Sequence, residues 1–173
     1  MRTGGRGHRR SGSKRSNSNG GSPMGTVLPR DFNEFLRLLE DEKVEYLLIG
    51  GFAVGFYGYP RPTADMDVWI AVNPANAART VKALERFGMR SPELNDDLFL
   101  TKGPVIRMGV PPLRLEIQTD IAGVDFDDCF RRRRRVVIDD IEINLVDLAD
   151  LRTNKRAAGR HKDLDDLEHL PEP

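Results

Sequence analysis

In Asp65-Met66-Asp67-Val68-Trp69-Ile70-Ala71-Val72 an apolar residue stands at every even position, and two acids stand one residue apart at the start. Side chains alternate across a strand, so the pattern predicts a strand that turns Met66, Val68, Ile70 and Val72 toward a core and both carboxylates to the other face. Two like charges this close repel unless a proton or a cation lies between them, and carboxylate oxygens are the ligands Mg²⁺ prefers. A turn acid or helix cap is the competing reading of Asp65 and Asp67; the apolar strand that continues directly from them disfavours it. Gly50-Gly51 lies fifteen residues upstream, after the apolar run Tyr46-Leu47-Leu48-Ile49. That run reads as a short buried strand, and a glycine turn at its end lets phosphate approach the backbone. Nucleotide chemistry is the first expectation, with a plain strand-to-helix turn as the alternative for the glycines.

Outward from this centre, Pro29 and Asp31 open a first helix with an apolar stripe of Phe32, Phe35, Leu36, Leu38 and Leu39. Phe52 to Gly58 reads as a short helix, and Tyr59-Pro60-Arg61-Pro62-Thr63 as an extended connection, because proline disfavours helix at itself and at its predecessor. A helix is expected from Pro74 to Phe87, with Ala77, Val81, Leu84 and Phe87 on one side, followed by an irregular stretch through Leu100. Val105-Met108 and Leu113-Ile117 read as strands separated by Gly109 and the Pro111-Pro112 break. In the second of them Arg114, Glu116 and Gln118 share a face, so a third carboxylate is available beside the first pair. A helix from Asp125 to Arg132, a strand at Val136-Val137-Ile138, a tight turn at Asp139-Asp140 and a strand from Ile141 to Val146 follow. Asp147 suits the N-cap of a helix through Arg156, Gly159 interrupts it, and Lys162 to Leu170 forms the last helix. The order α-β-α-β-α-β-β-α-β-β-α-α predicts an α/β layer with a mixed sheet.

The 173 residues suffice for one domain with a real core. Formal net charge is zero, but residues 1–25 carry six basic residues and no acid, leaving 21 basic against 27 acidic in the remainder, a net of −6. The expected organisation is a disordered basic arm over 1–25 and a folded domain over 26–173. The arm is read as an extension without selected function rather than a nucleic-acid tail, and Met24 as a sensible alternative start. An acidic body is no general nucleic-acid binder, so a polyanionic substrate must meet a local cluster of positive charge. The Arg131–Arg135 run spans a helix end and a strand start, and is read as a solvated face rather than such a cluster. One cysteine, Cys129, excludes an intramolecular disulfide and fits a reducing cytoplasm, with the thiol packed inside. No apolar stretch approaches the roughly 18 residues needed to span a bilayer, so no membrane role is expected. All serines but Ser91 lie in the arm, as does one of the three histidines, which argues against a Ser-His-Asp hydrolase. Carboxylates, glycines and basic residues remain, the equipment of metal-assisted phosphoryl or nucleotidyl transfer. Trp69 shares the acids' face, where packing under a helix is favoured over stacking on a base.

The ordered set Gly50-Gly51, a short helix, and Arg61-Pro62-Thr63-Ala64-Asp65-Met66-Asp67-Val68 resembles the signature of the polymerase-beta-type nucleotidyltransferase superfamily. More closely, with Arg114-Leu115-Glu116-Ile117, Gly123-Val124-Asp125-Phe126 and Asn154-Lys155-Arg156-Ala157-Ala158-Gly159-Arg160-His161-Lys162-Asp163, it resembles the minimal nucleotidyltransferases related to AbiEii-type toxins. The resemblance covers about residues 30 to 170 and implies a nucleotidyltransferase-like mixed sheet packed with helices. It implies Asp65, Asp67 and Glu116 as catalytic and metal ligands for two Mg²⁺ ions, with a nucleoside triphosphate such as ATP as substrate. Gly50, Gly51, Arg61, Thr63, Lys155, Arg160 and Lys162 are the expected nucleotide-binding residues. Glu116 stands where the family more often has aspartate; Asp120, of the same strand parity, is the alternative third ligand. The resemblance further implies transfer of a nucleoside monophosphate to a hydroxyl of a tRNA or a protein, with a cognate antitoxin as partner. A catalytically silent nucleotide- or protein-binding member of the same fold is the contrasting expectation.

Overall fold

The structure, a computed structural model, describes residues 28–110 and 112–173. The basic arm expected over 1–25 and Pro111 of the expected break lie outside the described residues.

The first helix, α1 (Arg30–Asp41), buries Phe32, Phe35, Leu36, Leu38 and Leu39, the stripe its sequence spacing requires. Each such side chain taken from water contributes about 1.5–3 kcal/mol, which is why this face rather than intrinsic propensity fixes the helix. β1 (Tyr46–Leu48) is buried throughout and leads through Ile49 into α2 (Gly50–Phe56), whose start lies two residues before Phe52, at the diglycine turn itself. β2 (Asp65–Ile70) buries Met66, Val68 and Ile70 completely, while Asp65 and Asp67 remain partly exposed on the other face. The strand stops at Ile70 rather than Val72. There the Ala71 N–H donates to the Glu45 carbonyl, and Asn76, buried at the start of α3 (Pro74–Arg86), takes the Ala71 carbonyl. Asn73 caps α3 by accepting from the Asn76 N–H.

The irregular stretch after α3 contains one 3-10 turn, Asp96–Phe99, which sends Phe99 fully into the core. β3 (Val105–Val110) and β4 (Leu113–Gln118) pair antiparallel from Val105↔Gln118 to Val110↔Leu113. α4 (Phe126–Arg132) is capped by Asp125, and β5 (Arg134–Ile138) and β6 (Ile141–Leu145) form a hairpin around Asp139 and Asp140. Both turn residues have positive φ, 48° and 63°, matching the right-handed strand twist that two-residue hairpins require. Asp147 caps α5 (Leu148–Ala158), which ends on Gly159 in the left-handed conformation, and α6 (His161–His169) follows.

The six strands form one mixed sheet in the order β3-β4-β2-β1-β6-β5. β2 is antiparallel to β1 and parallel to β4, and β1 is parallel to β6. The acids' face of β2 is polar at its beginning and dry at its end. Trp69 is buried there, edge-on to Phe126 of α4 with ring centroids 5.0 Å apart, so it packs beneath a helix.

Candidate active site

Parallel pairing of β2 with β4 decides the site. The register sets Asp65 opposite Arg114, Asp67 opposite Glu116 and Trp69 opposite Gln118, so the third acid of the sequence stands directly across from the second. All ten residues expected from the sequence line one cavity of about 710 Å³: Gly50, Gly51, Arg61, Thr63, Asp65, Asp67, Glu116, Lys155, Arg160 and Lys162. Asp120 also reaches its wall, beyond the end of β4 and exposed, whereas Glu116 is cross-strand from Asp67.

The glycines are needed for space. Gly50 has φ +65°, and a Cβ there would fall 2.1 Å from Asp67 Oδ2, so only a residue without a side chain can pass beneath that carboxylate. A Cβ on Gly51 would fall 2.8 Å from Thr63 Oγ1, whose hydroxyl donates to the Asp65 carbonyl. The Ile49 N–H donates to the Asp67 carbonyl at 3.0 Å, tying the diglycine turn to the acidic strand.

Burial, and then the charge and hydrogen bonding of Glu116, push the Asp67 carboxyl up to about 6; Lys162 opposes the rise. The Asp67–Glu116 pair therefore favours a shared proton or a cation. Asp65 and Glu116 are already partnered by arginines. Arg114 grips Asp65 with two bonds, Nε to Oδ1 at 2.8 Å and Nη2 to Oδ2 at 2.7 Å, and Arg107 donates to Glu116 Oε1 at 2.8 Å. Gln118 Nε2 donates to Asp67 Oδ1 at 3.2 Å. Arg107, Arg114 and Gln118 were not among the expected site residues. Period-two spacing with Glu116 marks Arg114 and Gln118 on the same face; Arg107 becomes visible only through the hairpin register that sets it opposite Glu116.

Three of the expected phosphate ligands hold the wall of the cavity together. Lys155 is buried with its Nζ 2.9 Å from Asp163 Oδ1 and 2.8 Å from Asp166 Oδ2. Arg61 makes two bonds to Asp166, at 2.6 and 3.0 Å, and Arg160 Nε donates to Asp163 Oδ2 at 2.6 Å. Burial alone would raise both aspartates, but hydrogen bonds from Arg160 and Lys155 hold Asp163 below the usual carboxylate range, and those from Arg61 and Lys155 do the same for Asp166. Lys162, one residue before Asp163, is exposed on the cavity rim and has no ion-pair partner among the described residues. Of the two lysines expected from the sequence to bind nucleotide, it is the one whose charge no described acid takes up.

The Arg131–Arg135 run is dispersed, each member going to a different neighbour. Arg131 pairs with Asp128, Arg132 with Asp150, Arg133 with Asn144 and the Phe130 ring, Arg134 lies 6.0 Å over Tyr57, and Arg135 takes Glu142 and Glu40. Cys129 is buried, and burial together with Asp150 pushes its thiol up to about 12, the state of an inert packed side chain.

Among the described residues, no three His, Cys, Asp or Glu side chains stand close enough to form a ready-made metal cage. Mg²⁺ seldom uses one; it takes one or two carboxylates together with substrate phosphates and water. The oxygen-only donor set and the elevated Asp67 carboxyl beside Glu116 fit such an ion, which would take the place of the shared proton.

The fold is nucleotidyltransferase-like. The chain aligns with a protein from Thermotoga maritima provisionally described as a nucleotidyltransferase, with a TM-score of 0.57 and 16% identity over 80% of this chain and 89% of that one. An antigenic nucleotidyltransferase-like protein from Paracoccidioides brasiliensis is more distant, at a TM-score of 0.48 and 17% identity over 80% and 73% of the two chains. No family model matches the sequence, and no curated protein matches it. No helix among the described residues is long and apolar enough to cross a membrane.

Proposed function

We propose that this chain is a Mg²⁺-dependent nucleotidyltransferase that moves a nucleoside monophosphate from a nucleoside triphosphate to an acceptor hydroxyl. The observation that carries the reading is the Asp67–Glu116 carboxylate pair, set cross-strand by the register and backed by the Gly50 turn, in a cavity that Lys162 also lines. Asp67 and Glu116 would hold the metal together with substrate phosphates, and Asp65 would join them only once freed from Arg114. Mg²⁺ bound there would offset triphosphate charge and make an acceptor hydroxyl more acidic. The chain's own contribution is positioning. Gly50 and Gly51 let the turn in the cavity wall pass close beneath Asp67 and Thr63, Lys162 offers a cation to the triphosphate, and the Lys155–Asp163–Asp166–Arg61 network fixes α6 so that Lys162 stays on the rim. The resemblance to AbiEii-type proteins supports a tRNA or protein hydroxyl as acceptor and a toxin role opposed by an antitoxin. The net −6 of the body favours a short, locally engaged acceptor over long RNA.

One observation favours the silent alternative, a nucleotide-binding regulatory member of the fold: Arg114 and Arg107 already neutralise Asp65 and Glu116. The full chain incubated with α-labelled nucleoside triphosphates, Mg²⁺ and RNA or protein acceptors separates the two. Label transfer abolished by Asp67→Asn and by Glu116→Gln supports the enzyme. Triphosphate binding without transfer to any acceptor supports the silent member.

A further inference from the structure

The cations around the acids differ in how firmly they are held. Lys155 is 3% exposed between two fully buried aspartates, so breaking its pairs would strand buried charge. Arg114 is 37% exposed and its partner Asp65 is 27% exposed, so water compensates both when they part, and such a pair is held only weakly. Arg114 nonetheless engages both oxygens of Asp65, and its Nη2 lies 3.8 Å from Glu116 Oε1. While that grip lasts, both oxygens of Asp65 are engaged by Arg114, and a guanidinium charge stands where a divalent ion would be repelled.

Arg114 also lines the cavity proposed to take the triphosphate. A planar guanidinium suits phosphate oxygens at least as well as it suits a carboxylate. We propose, on the basis of the nucleotidyltransferase reading, that Arg114 couples the two ligands: it occupies Asp65 in the free protein and transfers its two donors to the triphosphate when nucleotide enters, thereby releasing Asp65 to a divalent cation. Metal and triphosphate then bind cooperatively, and the free protein does not hold a divalent ion at Asp65 without substrate. No bond is made or broken in this exchange. Arg107 does not share the role, because it reaches Glu116 through one bond from a side chain that is 60% exposed.

The test uses the full chain freed of metal, with Mn²⁺ binding followed by electron paramagnetic resonance, alone and with a non-hydrolysable α,β-methylene triphosphate. In the wild type the analogue tightens Mn²⁺ binding at least ~10-fold, within the range typical of coupled sites. In Arg114→Gln, Mn²⁺ alone binds at least ~5-fold more tightly than in wild type, and the tightening by the analogue falls at least ~5-fold, leaving only what direct ligation of the ion by phosphate oxygens supplies. Arg114→Lys keeps the charge without the two-pronged grip and falls between the two, which secures the comparison if the glutamine variant is poorly folded by circular dichroism. Wild-type Mn²⁺ binding that the analogue tightens, but that neither variant changes, overturns the role of Arg114 and leaves the nucleotidyltransferase reading standing. Absence of Mn²⁺ binding in every protein, with and without the analogue, overturns both.

Discussion

Asp67→Asn is expected to make the metal-free protein more stable, although it removes the acid on which the proposed activity depends. The Asp67 carboxyl lies at about 6 against an ordinary 3.8, because it is buried beside Glu116. A carboxyl raised in the folded state favours folding while it is protonated, and that contribution is lost as pH climbs from about 4 through about 6. At pH 8 the difference, at about 1.4 kcal/mol per pH unit, amounts to about 3 kcal/mol held against the folded state. Asparagine carries no charge, accepts from Gln118 through its carbonyl and donates to Glu116 through its amide. Water in the open cavity screens part of the repulsion, so the expected gain is between about 1 and 3 kcal/mol at pH 8, shrinking to about a third of that at pH 4.5. Urea unfolding in EDTA at the two pH values measures it. Millimolar Mg²⁺ should then raise the wild type toward the variant and leave the variant unchanged. A variant less stable than wild type at pH 8, or one whose advantage does not depend on pH, refutes the reasoning.

Gly50→Ala puts a Cβ 2.1 Å from Asp67 Oδ2 at a φ of +65°, so it is expected to lower stability by at least ~1 kcal/mol and to abolish Mn²⁺ binding, measured by thermal unfolding and spin resonance. Lys155→Met leaves Asp163 and Asp166 buried without their shared cation and is expected to cost about 3 kcal/mol or more in chemical unfolding. Lys162→Met, by contrast, is expected to stay within ~0.5 kcal/mol of wild-type stability while weakening triphosphate binding in a calorimetric titration. Because Asp163 and Asp166 sit below their ordinary values when folded, their stabilisation is present above the unfolded value near 3.8 and is lost as pH falls further; an acid titration followed by circular dichroism should show ellipticity collapsing below that point and not above it. Asp140→Gly relieves a non-glycine residue at φ 63° in the β5–β6 turn and is expected to raise stability by ~0.5–1 kcal/mol in thermal melts.

The order of helices and strands was legible in the sequence because each carries a local signal: the α1 stripe, the alternation in β2, the Asp147 cap and the Gly159 stop. Boundaries moved where a distant partner intervened, as when Glu45 and Asn76 end β2 at Ile70. The Asp96–Phe99 turn went unread, since a single buried Phe99 leaves no period to detect. The acids, the glycines and the basic residues of the last two helices were also legible, as residue types in an ordered set. Their partnerships were not.

By itself, then, the chain determined which side chains face the same way along each strand, since alternation is a property of local geometry. Only the tertiary structure decided which strands are neighbours and in what register. That pairing turns Glu116 into the acid opposite Asp67, delivers Arg114 to Asp65 and Arg107 to Glu116, and folds α6 back so that Asp163 and Asp166 claim Lys155 and Arg61. Charges interact through distance and burial, neither of which is written in spacing along a chain. A basic residue read from sequence as a phosphate ligand and one that braces the wall behind it look alike until the fold assigns each its nearest acid.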